Sequence, residues 1–230
     1  MIHFAQTSVR PLSFHKLSYE AASATIKCMN SIDGIIFDLD GTLVESRLDF
    51  ELMLSEMRLP SGVPLLETIA ELPDADQRRC HEILHQHELA GAARAELMPG
   101  VGRFLGQLAE RGLRRAIVTR NSRTLTVPLL SRLGLDFDPV HTRDDGPIKP
   151  DPASIWEICR TWGTPSSRVV MLGDYRFDLE AGRRAGAKSV LYLGGQSRDR
   201  LPDWAGMADF VLASFLEPEG FFAWLDSEPA

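Results

Sequence analysis

Gly34-Ile-Ile-Phe-Asp38-Leu-Asp40-Gly-Thr-Leu43 is the stretch on which the reading of this chain turns. Its first half is a short apolar run, and its second half switches at once to two carboxylates, a glycine and a threonine. A brief continuous apolar run that ends in turn residues fits a strand buried on both faces. Runs of the same kind return at Arg115-Ala-Ile-Val-Thr119, more weakly over 137–141, at Arg168-Val-Val-Met-Leu172, at Ser189-Val-Leu-Tyr-Leu193 and at Phe210-Val-Leu212. Amphipathic stretches lie between them. In Val101–Arg111, for example, Val101, Phe104, Leu105 and Leu108 share one face at helical spacing, with Pro99-Gly100 opening the helix and Gly112 closing it. Strand and helix in alternation predict an α/β fold, a doubly wound (Rossmann-like) parallel sheet.

One segment interrupts the alternation. Residues 47–98 contain no strand-like run and instead carry two or three helical patterns, split by Pro60 and Pro64 and again by Pro73. This predicts a small all-helical cap inserted after the first core strand, at the carboxyl edge where doubly wound sheets bind ligands. The expected organisation is therefore a core of 31–46 and 99–230, a cap of 47–98, and an N-terminal extension of 1–30. The extension has Arg10, Lys16 and Lys27 against the lone acid Glu20. That is loosely the composition of a transit peptide, but with little arginine and no amphipathic repeat it reads as a ragged extension, or as an early start with Met29 the true initiator.

The bulk properties narrow the function classes. With 230 residues, 44% hydrophobic and 25% charged, the chain can bury a real core. A net charge of -7 argues against an extended nucleic-acid surface, which needs clustered Lys and Arg. No apolar run approaches the roughly 18 to 20 residues that span a bilayer. Cys28, Cys80 and Cys159 have neither disulfide-framework nor zinc spacing, which fits a reducing cytoplasm. A monomer or homodimer without nucleic-acid or membrane partners is expected.

Asp38 and Asp40 leave the first strand together, so both can enter one pocket. Two carboxylates this close repel unless a cation lies beside them. Val169-Val-Met-Leu-Gly173-Asp174, with Asp178 four residues on, brings a second acidic pair to the end of another strand. If the two strands are neighbours, Asp38, Asp40 and Asp174 form a hard-oxygen site suited to Mg2+, with Asp178 a further ligand or the holder of a bound water. Thr119, followed by Arg120-Asn121-Ser122 at a helix start, offers a hydroxyl and free N–H groups to an anion. Lys149, bracketed by Pro147 and Pro150, is placed to neutralise a phosphoryl group.

Asp38-Leu-Asp-Gly-Thr42, Thr119, Lys149 and Gly173-Asp174-x-x-x-Asp178, in this order, resemble the motifs of the haloacid dehalogenase superfamily. Pro99-Gly-Val101, Ile148-Lys-Pro-Asp-Pro152 and Glu180-Ala-Gly-Arg-Arg-Ala-Gly-Ala187 are similar too. The resemblance is to the phosphoglycolate phosphatase-like branch and covers about 32–193. It implies a Mg-dependent phosphatase acting on a small phosphorylated metabolite. Asp38 would be the nucleophile that becomes an aspartyl-phosphate, and Asp40 the general acid and base. Thr119, Arg120, Asn121 and Lys149 would hold the phosphate. Asp38, the Asp40 backbone carbonyl and Asp174 would hold the metal. Two positions depart from the family pattern: Arg120 stands where Asn is usual, and Tyr175 where a small hydroxyl residue often follows Asp174.

Alternatives remain within and outside that chemistry. A phosphosugar mutase shares Asp38 and Asp40, and a catalytically silent regulatory or binding member of the family shares the fold. Phosphonate cleavage in this family relies on a cap lysine, and 47–98 contains none. His81-Glu-Ile-Leu-His85 fits a zinc-helix motif, but we read it, with Glu88, as the exposed polar face of a cap helix. Arg47, where the chain enters the cap, is the candidate for substrate specificity.

Overall fold

The computed structural model describes residues 32–197, 199 and 201–227, and the expected extension over 1–30 lies outside the described residues. Eight strands occur among the described residues: β1 Gly34–Phe37, β2 Val44–Glu45, β3 Glu96–Leu97, β4 Arg114–Val118, β5 Val140–His141, β6 Val169–Gly173, β7 Lys188–Tyr192 and β8 Phe210–Leu212. Six of them form one parallel sheet in the order β5-β4-β1-β6-β7-β8. β1 is buried throughout and pairs with β4 on one side and β6 on the other.

Side chains on β1 and its neighbours alternate between two hydrophobic layers, as a pleated strand covered on both faces requires. Ile35 and Phe37 join Ile117, Val170, Leu172 and Phe104 on one face. Ile36 joins Ala116, Val118, Met171 and Ile158 on the other. The strand order reverses at β1, which opens a crevice beyond its carboxyl end. The aromatic tail closes the first layer: Phe221 and Phe222 lie 5.4 and 5.5 Å from Phe104, centroid to centroid.

The segment between β2 and β3 is helical. It contains α1 Phe50–Met57, α2 Leu65–Ala70 and α3 Asp74–Arg94. These helices have a core of their own, built from Met53, Leu54, Met57, Leu65, Ile69, Cys80 and Leu84. Asp49 caps α1 by accepting from the Leu52 N–H at 2.9 Å. β2 and β3 pair antiparallel, Val44 with Leu97 and Glu45 with Glu96, and tie the start of the insertion to its end. Sequence patterning does not predict this ribbon, because two-residue strands carry no readable period. Four further helices complete the core: α4 Val101–Glu110, α5 Arg123–Leu133, α6 Ala153–Trp162 and α7 Arg176–Ala185, before the C-terminal α8 Glu219–Ser227.

Candidate active site

Asp38 is the first residue past β1, and its N–H donates to the Leu172 carbonyl of β6 at 2.9 Å. That bond fixes the end of β1 beside Gly173 and Asp174. Gly41 then turns the chain at φ 80°, where a Cβ would run into the Asp174 carboxylate, so only glycine fits. Gly173 is needed for a similar reason, since a Cβ there would overlap the Asp178 carboxyl group. Thr42 donates to Asp174 Oδ1 at 3.1 Å. Asp178 lies in the first turn of α7 and accepts from the Tyr175 N–H at 3.0 Å, in a capping box.

These restraints gather oxygens from Asp38, Asp174 and Asp178 within 4.8 Å of one another. Lys149 Nζ donates to Asp38 Oδ1 at 2.5 Å and to Asp178 Oδ1 at 2.7 Å, and the lysine is only 2% exposed. The electrostatics follow from that burial. Asp38 is raised well above the ordinary carboxylate range, first by burial and then by the Asp178 and Asp174 charges, against the pull of Lys149. Asp174 is pushed up to about 7 by burial and the Asp178 charge. Burial opposes the Lys149 charge, but Asp178 and Asp38 outweigh it and the lysine is raised. A buried hard-oxygen cluster that favours protons for want of positive charge suits a small divalent cation such as Mg2+. The donor set therefore fits the metal.

Asp40 lies nearby, with its side chain outside that cluster. Its Oδ2 accepts from the Asn121 amide. Burial raises its pKa, hydrogen bonds from Ser46 and Asn121 pull it down, and the Glu45 charge raises it further, with the net effect upward. Its other oxygen, Oδ1, is buried without a hydrogen-bond partner among the described residues. An unmatched acceptor of this kind marks a place for a substrate oxygen or a water. Thr119, past the end of β4, is held by its N–H on the His141 carbonyl at 2.9 Å, and its Oγ1 accepts from the Asn121 N–H at 3.2 Å.

Arg120 and Asn121, both expected at the phosphate, line the cavity and also have protein partners. Arg120 is bidentate to Glu67 of α2, at 2.9 and 2.7 Å, and also donates to the Lys149 carbonyl. Its guanidinium lies over the Phe177 ring, 4.5 Å from the centroid. Arg120 is thus a bridge between core and cap. The Asn121 side chain donates to Asp40 Oδ2. Arg47 has φ 53°, lines the cavity, and has a carbonyl that accepts from Arg94 at 2.9 Å.

The expected exposed face of α3 is corrected in part. His81 and Glu82 are exposed, but Glu88 is 7% exposed and is bidentate to Arg143 at 2.5 and 2.9 Å. A long-range partner such as Arg143 leaves no mark in local spacing. Ser46, Glu45 and Glu67 are site residues that sequence reasoning missed, and Thr42, quoted there within the motif, was given no role of its own. Above the carboxylates is a cavity of about 500 Å3, bounded by both core and cap residues.

The family model for haloacid dehalogenase-like hydrolases matches residues 46–192, a span that begins just after Asp38 and Asp40. A haloacid dehalogenase-like hydrolase domain-containing protein of Arabidopsis thaliana is 29% identical over 82% of this chain and 80% of its own. A phosphoglycolate phosphatase of Pseudomonas syringae pv. tomato is 31% identical over 72% of this chain and 71% of its own. In fold, the chain is similar to a hydrolase from Pseudomonas syringae, with TM-score 0.68 and 23% identity over 84% of this chain and 98% of that one.

Proposed function

The chain belongs to the haloacid dehalogenase-like hydrolase family, and from that premise we propose that it is a magnesium-dependent phosphatase of a small phosphorylated metabolite, working through a phosphoryl group carried on Asp38. The observation that carries this reading is the junction of Lys149 with Asp38 and Asp178 beside Asp174. It supplies a nucleophile, a buried cation and a hard-oxygen site at one sheet edge.

A carboxylate oxygen of Asp38 attacks phosphorus as the ester P–O bond breaks. Asp40, whose pKa burial raises, gives its proton to the departing alkoxide through the side facing the substrate. Asp40, now a carboxylate, takes a proton from water, whose oxygen attacks phosphorus. The bond to Asp38 breaks and inorganic phosphate leaves. Asn121 and Ser46 keep Asp40 aimed through both steps. Thr119 offers its hydroxyl to the phosphoryl oxygens, and Lys149 offsets their charge. Asp38 and Asp174, with Asp178 beside them and the Asp40 carbonyl, are the groups that would hold Mg2+, whose chemistry there is neutralisation of phosphoryl charge.

The test is phosphate release from p-nitrophenyl phosphate and a panel of phosphorylated metabolites, with magnesium and with chelator. Magnesium-dependent turnover with label on Asp38 in acid-quenched protein is expected. Turnover unaffected by chelator, or label elsewhere, defeats the proposal.

A further inference from the structure

The cavity is divided by chemistry. Its floor is the Asp38 and Lys149 cluster, and a large part of its wall is apolar. Phe50 and Leu54 of α1 and Leu65 and Leu66 of α2 line the cap side, while Tyr175 and Phe177 line the core side. Phe50 is 54% exposed and Tyr175 50%, so two large apolar side chains border the cavity without being buried. Tyr175 is nonetheless fixed. Its ring meets Phe177 edge-on at 5.2 Å and Trp204 at 5.7 Å. Apolar surface held open in a cavity is the usual sign of a ligand body that covers it.

Charge points the same way. Beyond the floor, the ionic side chains lining the cavity are Glu45, Glu51, Glu88, Arg47 and Arg120. Arg120 is matched by Glu67 and Glu88 by Arg143. That leaves Glu45 and Glu51 with Arg47, one net negative charge among the three. A substrate bearing a carboxylate, such as phosphoglycolate, would bring that charge against an apolar wall and a net negative surround, at a cost in desolvation and repulsion. The cavity, at about 500 Å3, also falls within the roughly 300–1,000 Å3 range that encloses ligands far larger than two carbons.

We infer that the preferred substrate is a phosphate monoester whose body beyond the ester oxygen is uncharged and apolar, an aryl-alkyl or longer alkyl group packed on the wall formed by Phe50, Leu66 and Tyr175. This rests on the phosphatase reading above and narrows it.

The experiment compares kcat/KM of the full chain, with magnesium, for ethyl phosphate, n-hexyl phosphate, benzyl phosphate and 2-phosphoglycolate. All four leave as alkoxides, so the comparison reads binding of the body more than leaving-group chemistry. Benzyl and hexyl phosphate should exceed ethyl phosphate by at least about tenfold, since each buried methylene is worth several-fold, and phosphoglycolate should fall below ethyl phosphate. Phe50→Ala, at an exposed position, should lower the benzyl-to-ethyl ratio about fivefold, chiefly through KM. Preference for phosphoglycolate over benzyl phosphate, or a ratio unmoved by Phe50→Ala, overturns the inference. Hydrolysis of ethyl phosphate with no gain for benzyl phosphate overturns this inference alone. Hydrolysis of none of the four overturns the phosphatase reading and this one with it.

Discussion

The sheet edge and the helical insertion that faces it are built by opposite rules. At the edge, charged groups are buried and locked: Lys149 to Asp38 and Asp178, Thr42 to Asp174, Asn121 to Asp40. On the insertion, the cavity-facing surface is largely apolar, and the charges work at the seam with the core, where Glu67 meets Arg120 and Glu88 meets Arg143. Reactive groups need fixed positions, which strand ends supply. A recognition surface needs shape and the freedom to close, which a small helical unit on a two-strand ribbon supplies. Perturbing the edge should therefore change chemistry, and perturbing the seam should change stability and substrate capture.

The largest effects belong to the edge. Asp38→Asn keeps size and most hydrogen bonding but removes the carboxylate proposed as nucleophile, so turnover should fall by at least about 10⁴-fold, with no phosphoprotein trapped on acid quench. Asp40→Asn should depend on the leaving group: about 10³-fold for an alkyl phosphate, whose alkoxide needs a proton, and far less in the first step for nitrophenyl phosphate. Because water still lacks its base, nitrophenolate should appear in a burst while phosphoenzyme accumulates. Equal losses for both leaving groups would show that Asp40 does not act as the acid.

The third effect is on stability and couples pH to metal. Asp174 is raised to about 7 by burial and by Asp178. A carboxyl raised in the folded state binds its proton more tightly there than in the unfolded chain. Stability is therefore greatest below the unfolded value and falls as pH rises toward 7. Magnesium held at this cluster would displace that proton and relieve the repulsion. Thermal melts should show almost no magnesium effect at pH 5 and a rise of about 4 °C at pH 8 with metal at tenfold its Kd. A magnesium shift independent of pH would mean that the ion does not bind at this cluster.

The contrast between the two regions also explains what the sequence made legible. The sheet was readable because β1 and β6 are continuous apolar runs and β4 and β7 end in them, and Asp38, Thr119 and Asp174 were readable because each directly follows such a run. Neighbouring strands then bring these residues together. The partners of Arg120 and Asn121 were not readable, because position after a strand fixes where a backbone goes but not which distant group a long side chain finds. Glu88 was assigned to a solvated face because its partner, Arg143, is 55 residues away. The ribbon of β2 and β3 was missed because each strand has only two residues.

The seam offers two effects on stability without direct chemistry. Glu88 and Arg143 are both well shielded, with side chains 7% and 17% exposed. Arg143→Ala leaves the Glu88 carboxylate buried without its cation, a change that typically costs about 3 to 5 kcal/mol. Urea unfolding should register it, and Arg143→Ala with Glu88→Leu should recover most of the loss, since an apolar replacement no longer needs a partner. If the double variant is no more stable than the single one, the ion pair is not what holds α3 to the core.

Glu67 and Arg120 should show a weaker version of the same coupling, and the difference can be read in advance from exposure. The Glu67 side chain is 37% exposed against 20% for Arg120, so water and salt screen the pair despite its bidentate geometry. Burial tends to raise Glu67, but the Arg120 hydrogen bonds and charge outweigh it and hold the carboxyl below its ordinary value. A depressed carboxyl contributes stability that is complete above its unfolded pKa and is lost as pH falls through the folded one. A cycle of Glu67→Gln, Arg120→Gln and the double variant should therefore give a coupling of up to about 1 kcal/mol at neutral pH and low salt. It should shrink in 1 M salt, where the Debye length is about 3 Å, and shrink again below the folded Glu67 value. Arg120→Gln also removes the guanidinium from the Phe177 ring. Of the two single variants, it should therefore have the larger effect on KM. A coupling as large as that of Glu88 and Arg143, and insensitive to salt, would mean that both seams close on a dry interface and that the insertion is a fixed wall with no freedom to close.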